Sequence, residues 1–348
     1  MKIIVRLTFL FFVISFVNCS KEYSEYINEE SKHSFTLEKN ISWSSPEGIE
    51  LTMDIYIPNT GKNSYPVIAM FHGGAWMSNS KEIMSEPASY LASQSEYIIC
   101  NIDYRLLPQR NNSIKINEII EDAFGAVLWI KSNIHEYKGD PEKIIVTGDS
   151  AGGHLASMVL TNGDNLSSVG FEEGNLSFTP SWLPPGMSAE DVKNSDWLCV
   201  QAGIINYGAV SLYDMVKYDK FEEPNIFWIG AKTKARGIFG NNINVNNNPE
   251  YYKAISPLFT VPDKDKRALP PILLTVGSED EIITPNMVVK YRDIILAAGH
   301  TRVEYWVHNG RPHGFLNSGS SILLGTDFKK DAVPALKKMI SFLNRIFY

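Results

Sequence analysis

From Glu50 onward the chain alternates short apolar runs with longer stretches whose apolar positions recur at helical spacing. Glu50–Ile57 (ELTMDIYI) predicts a strand that stops at Pro58. Val67–Phe71 (VIAMF) and Glu96–Asp103 (EYIICNID) are unbroken runs suited to strands buried on both faces. Residues 115–134 place Ile119, Ile120, Ala123, Ala126, Val127 and Ile130 on one helical face. Asp140-Pro141 then interrupts the chain before a strand at Ile144–Thr147. A helix starts at the next serine, with Ala151, Leu155, Ala156 and Val159 as its buried side. Leu198–Ala202 (LCVQA), Pro271–Val276 (PILLTV) and Arg302–Val307 predict three more strands. Helices are expected near 285–298, closed by Gly299, and from about Lys329 to Ile346. This alternation predicts an α/β fold: a mostly parallel central sheet with helices on both faces.

The pattern fades twice, near 162–196 and near 206–257, into Gly, Ser, Asn and Pro with scattered aromatics. Long irregular stretches inside a compact domain are usually functional loops, so both read as lid-like insertions within one domain spanning 45–348. Composition supports a single large core: of 348 residues, 44% are hydrophobic and 20% charged, which excludes disorder as the dominant state. The formal charge of −7 comes without a basic stripe, so nucleic acid is not an expected partner. Three cysteines, Cys19, Cys100 and Cys199, are too few for a disulfide framework or a four-cysteine zinc site. Cys100 and Cys199 read as buried thiols, and the acids of 214–223 show no metal spacing.

The first residues read as an address. Lys2 and Arg6 precede the apolar run Leu7–Val17, which has signal-peptide length and is short for a membrane span. Phe16-Val17-Asn18-Cys19 resembles a bacterial lipoprotein cleavage box, with Asn18 where a small residue is usual. Residues 1–18 would then be the leader, Cys19 the lipidated terminus and possible membrane tether, and 19–44 a tether and lead-in. Ser20-Lys21-Glu22 is similar to export tags of some surface lipoproteins. The alternative is an ordinary secretory signal. Either reading predicts export.

Candidate chemistry gathers at four loops. Gly148-Asp149-Ser150-Ala151-Gly152 fits G-x-S-x-G where a buried strand turns directly into a helix, a site that lifts a serine hydroxyl above the sheet. The bare alternative is a tight structural turn. His72-Gly73-Gly74-Ala75-Trp76 follows the strand VIAMF, and its glycines allow backbone N–H groups to face a site. The N–H groups of Gly74, Ala75 and Ala151 are candidate oxyanion donors, while His72 and Gly73 support the loop. A serine needs a base, and the base needs an orienting carboxylate. Among seven histidines, His33 lies in the tether, His135 ends a helix, His154 points away from Ser150, and His300 should be exposed after Gly299. His313, in Arg311-Pro312-His313-Gly314-Phe315, is the candidate base, with His308 as runner-up. Asp280, three residues past Gly277, is the candidate carboxylate, and Glu279 and Glu281 read as solvated neighbours.

Together VIAMFHGGAW, VTGDSAGGHLA, LLTVGSEDEIITP and RPHGFLN resemble α/β-hydrolase serine esterases of the hormone-sensitive-lipase-like and bacterial feruloyl or acetyl esterase-like group. LTMDIYIP is similar to the D-x-Y-x-P start of the second group. The resemblance spans about 45–345 and implies an α/β-hydrolase fold and an acyl-enzyme mechanism without cofactor or metal. It also suggests short-chain acetyl or feruloyl esters, on plant polysaccharides, as substrates. Ala75 replaces the third glycine of many members, which keeps the N–H but disfavours bulky tertiary alcohols. Competing readings are a lipid-directed carboxylesterase, a peptidase, and a non-catalytic binding protein on the same scaffold. Arg105 is expected to pair with an acid such as Asp122. Trp76, Trp182, Trp197, Tyr207, Tyr213, Phe227 and Trp228 either line a pocket or fill the insertions' own core.

Overall fold

A strand apolar on both faces is stable only with helices packed above and below it. The computed structural model, which describes residues 31–172, 174–322 and 324–348, resolves that requirement with one eight-stranded sheet. Its strands are β1 (Phe35–Ser44), β2 (Leu51–Pro58), β3 (Tyr65–Phe71), β4 (Ile98–Ile102), β5 (Gly139–Asp149), β6 (Ala202–Asn206), β7 (Ile272–Gly277) and β8 (Val303–His308). Across the sheet the order is β1, β2, β4, β3, β5, β6, β7, β8. The first two pairings, β1 with β2 and β2 with β4, are antiparallel, and all later ones are parallel.

Five longer helices cover the sheet: α1 (Ser85–Gln94), α2 (Ile116–Asn133), α3 (Ala151–Asn162), α4 (Pro285–Ala297) and α5 (Val333–Phe347). Helix α1 packs on α5, α2 on α3, and α4 on β7 and β8. Every residue of β3, β4, β6 and β7 is buried. Burial of each large aliphatic or aromatic side chain there is worth roughly 1.5–3 kcal/mol. The parallel register aligns strand ends. Phe71 pairs with Gly148, Asp149 with Asn206, and Gly277 with His308. The four loops of interest therefore leave the same edge of the sheet.

Several sequence expectations need correction. Residues 35–44, expected as lead-in, form edge strand β1, whose residues are all exposed or half-buried except Trp43 and whose two register shifts hide the strand signal. The expected strand Leu198–Ala202 lies four residues early. Cys199 N–H donates to Asp196 O in a turn where Asp196 has φ 52°, and the strand proper is Ala202–Asn206. Asp140-Pro141 does not precede β5 but lies in it, at the irregularity where Tyr65 pairs with Gly139 and Val67 with Ile144. The final helix begins with a π-helical turn at Phe328–Ala332. The second insertion is not wholly irregular, because it carries short helices at Leu212–Lys217, Ile226–Gly230 and Pro249–Ala254. Cys199 is half-buried, unlike Cys100. The leader and Cys19 lie outside the described residues, and none of the described helices is long and apolar enough to cross a membrane.

Candidate active site

Ser150 stands between β5 and α3 with φ 52° and ψ −115°, a conformation that costs a non-glycine residue energy. Its backbone is held from both sides: its N–H donates to Asn206 O (3.0 Å) and its carbonyl accepts from Ala209 N–H (3.1 Å). The bend needs glycine at position 152, where a Cβ would lie 2.0 Å from the carbonyl oxygen of Phe71. Sequence and fold thus combine to project Ser150 Oγ from the sheet edge.

The loop after β3 runs through three successive positive φ values: Gly74 at 129°, Ala75 at 54° and Trp76 at 60°. Successive left-handed residues turn amide hydrogens toward one concavity, a geometry suited to an anion. A Cβ on Gly74 would meet Ser78 O at 2.1 Å, so only glycine fits there. Among the described residues, the N–H groups of Gly74, Ala75 and Ala151 have no hydrogen-bond acceptor. Gly73 differs, because its N–H is taken by the Asp149 carboxylate. His72 donates from Nδ1 to Gly73 O (2.7 Å), stacks on Tyr104 at 4.3 Å, and is held neutral by burial, which lowers its pKa.

Asp280 and His313 converge on Ser150 from the loops after β7 and β8. Asp280, 3% exposed, accepts the N–H groups of Ile282 (2.9 Å) and Ile283 (2.8 Å) at Oδ1. Its Oδ2 lies 2.8 Å from His313 Nδ1, and His313 Nε2 lies 2.9 Å from Ser150 Oγ. With Nδ1–H donated to the carboxylate, Nε2 is left to accept the hydroxyl proton. The histidine loop is braced by Arg311: its carbonyl accepts Glu279 N–H (3.0 Å), and its guanidinium lies 2.7 Å from buried Asp331. Glu279 and Glu281 are exposed.

Three other buried histidines are occupied elsewhere. His308 donates from Nε2 to Asp331 O (2.9 Å). His300 is buried, not exposed as expected, because it bridges Pro262 O and Leu269 N–H. His154 accepts Trp76 Nε1–H at Nδ1 (3.2 Å) and donates from Nε2 to Ile255 O (2.7 Å). Burial lowers its pKa to about 4. Arg105 forms the expected pair with Asp122, two contacts of 2.8 Å.

Most of the aromatics flagged in the sequence fill interior space. Trp76, Tyr207, Tyr213 and Trp228 are buried, and Trp182, Trp197 and Phe227 are half-buried against the core. Two residues join the site that sequence reasoning does not place there. Asp149 is 2% exposed with its carboxyl pushed up to about 6 by desolvation. Tyr207 lies edge-on to His313 at 4.9 Å. Asp149 occupies the variable position of the serine motif, which carries no signal of its own. Tyr207 reads in sequence as one more insertion aromatic, and only its place at the end of β6 reveals it.

Comparison with known proteins agrees with this architecture. The BD-FAE family model matches residues 53–293. Isoprenylcysteine alpha-carbonyl methylesterase of Arabidopsis thaliana is 26% identical over 267 residues, covering 75% of this chain and 53% of that protein. Carboxylesterase NlhH of Mycobacterium tuberculosis is 30% identical over 110 residues, covering 32% of this chain and 33% of its own. The chain thus spans about half the length of the first of these relatives. Apo Thermogutta terrifontis esterase 2 superposes with TM-score 0.61 at 21% identity, over 92% of this chain and 97% of that one. The shared fold is the α/β-hydrolase fold that the sequence led us to expect.

Proposed function

This chain belongs to the BD-FAE family, and on that premise we propose that it hydrolyses carboxylic esters through an acyl-enzyme formed on Ser150. The observation that carries this reading is the unbroken relay Asp280–His313–Ser150, with contacts of 2.8 and 2.9 Å, beside three unengaged amide hydrogens. Ser150 Oγ attacks the ester carbonyl while His313 Nε2 takes its proton. Asp280 holds the imidazole in the Nδ1–H tautomer and stabilises the imidazolium. The N–H groups of Gly74, Ala75 and Ala151 receive the oxyanion, each worth roughly 3 kcal/mol of barrier. His313 returns the proton to the departing alcohol. Water then repeats the sequence and frees the acid, with no cofactor in any step.

For substrate, the reading is a short-chain acyl ester, acetyl or feruloyl, on a carbohydrate, and it rests on the motif resemblance. Export, with Cys19 lipidated, is supported by Lys2, Arg6 and the apolar run Leu7–Val17. A lipid-directed ester is the second reading, favoured by relatives named isoprenylcysteine methylesterases. The test is turnover of aryl acetate, aryl butyrate, methyl ferulate, acetylated xylan oligosaccharides and a prenylcysteine methyl ester. Wild type is expected to cleave the acetyl or feruloyl substrates best, and Ser150→Ala to lose at least about 10³-fold in kcat. Absence of turnover on the whole panel refutes the esterase reading.

A further inference from the structure

The proton relay leaves a buried carboxylate of the site unused. Asp149 directly precedes Ser150, and its side chain lies beneath the loop after β3. The carboxylate accepts from the backbone of Gly73, and its Oδ2 accepts the hydroxyl of Tyr207 at 3.4 Å. A Cβ on Gly73 would stand 2.5 Å from that oxygen, so the loop backbone is pressed onto the carboxylate. The Tyr207 hydroxyl in turn accepts Leu316 N–H (3.2 Å), and its ring meets His313 and Phe315 edge-on. Tyr207 holds φ 36°, a strained value for a tyrosine, to reach this place. One chain of contacts therefore joins the oxyanion loop, Asp149, Tyr207 and the histidine loop.

The electrostatics of Asp149 are unbalanced. Its Oδ1 has no hydrogen-bond partner, and among the described residues it pairs with no lysine or arginine. A buried carboxylate in that condition is costly unless a cation stands near. The groups whose charge acts on it or that feel its charge are His313, Tyr207 and Tyr104, and Asp280 also acts on Tyr207. Burial keeps both tyrosines neutral, since it pushes their hydroxyls well above the usual range. His313 is the one of these groups that can become a cation, and it does so when Ser150 gives up its proton.

We propose that Asp149 is a positioning residue: it locks the oxyanion loop to the histidine loop through Gly73 and Tyr207, and its charge favours the imidazolium of His313. The inference rests on the esterase reading but is testable apart from it. Asp149→Asn keeps the acceptor for Gly73 and removes the charge. Its expected effect is a fall of the His313 pKa by about one unit, matched by about a ten-fold fall in kcat, because the same imidazolium forms in the transition state. KM is expected to stay within about two-fold. The acid limb of kcat/KM is expected to move to lower pH. Tyr207→Phe weakens the same chain of contacts and shifts the limb in the same direction by less.

The His313 pKa is read by ¹⁵N-histidine NMR titration in the Ser150→Ala background, with His313→Asn supplying the assignment. This readout needs no turnover, so a wild type inactive on every ester defeats the esterase reading and leaves the coupling measurable. An unchanged His313 pKa in both variants overturns the proposal, as does an unchanged acid limb with kcat intact. Should Asp149→Asn fail to fold, Tyr207→Phe decides by the same two readouts.

Discussion

At the scale of single residues, Asp149 sets function against stability. Its carboxyl ordinarily titrates near 3.8 and is pushed to about 6 in the fold by desolvation. The folded state therefore binds its proton more tightly than the unfolded chain. The stability this gives is full below 3.8 and is lost as pH rises through about 6. Above that pH the fold holds a desolvated charge that the unfolded chain would solvate. Asparagine cannot titrate, so Asp149→Asn should gain stability relative to wild type by about 2 kcal/mol between pH 4.5 and 7.5. Denaturant melts of both proteins at pH 4.5, 6 and 7.5 measure this, and a difference that does not change with pH contradicts it. The variant is expected to be the slower enzyme and, at neutral pH, the relatively steadier fold.

At the scale of elements, the first turn of α3 is a clamp. His154 grips Trp76 of the oxyanion loop with one ring nitrogen and Ile255 of the second insertion with the other. Truncation strands an indole N–H and a carbonyl among buried residues. His154→Ala should therefore cost about 2–4 kcal/mol and lower kcat as Trp76 loosens. Glutamine can donate and accept at the same two places, so His154→Gln should recover at least half of both losses. Thermal melts and kcat on an aryl acetate test this; a Gln variant no better than Ala would count against the clamp. The same element shows what the sequence reveals and conceals. Strands such as VIAMF and PILLTV are legible because burial on both faces leaves a continuous apolar run. Ser150, Asp280 and His313 can be placed because each follows such a run within a few residues, so strand ends locate loops. By contrast, β1 escapes detection because an edge strand with a half-solvated face carries a weak signal. LCVQA and AGIIN form one nearly continuous apolar stretch, and only the turn at Asp196 chooses the second. Nor could periodicity show that Tyr207 lies under His313, since that contact joins two loops 106 residues apart in number only through the folded sheet.

At the scale of the molecule, the two insertions behave as one body. Phe171 of the first stacks on Phe239 of the second at 5.5 Å and meets Tyr251 at 5.6 Å. Phe239 also meets Tyr252 at 5.2 Å, while Phe178 joins Phe171 to Phe124 of α2. Arg236 ties the second insertion to the core through Leu107 O (3.0 Å) and through Ile114 O (2.5 Å). From this body Phe221 reaches Trp76 at 5.8 Å, beside the residues proposed to hold the oxyanion. A shared aromatic core predicts a fixed wall and not a swinging flap, since opening one insertion would expose the rings of both. Phe239→Ala should remove about 3–5 kcal/mol and expose both insertions to protease together. It should also lower kcat, because the wall that backs Trp76 relaxes. Limited proteolysis at a temperature well below the melt reads the first effect, with new cuts expected in 162–196 and 206–257 alike. Cuts confined to the second insertion, with the first still protected, would show that the two stretches are independent lids and that the wall is only half built.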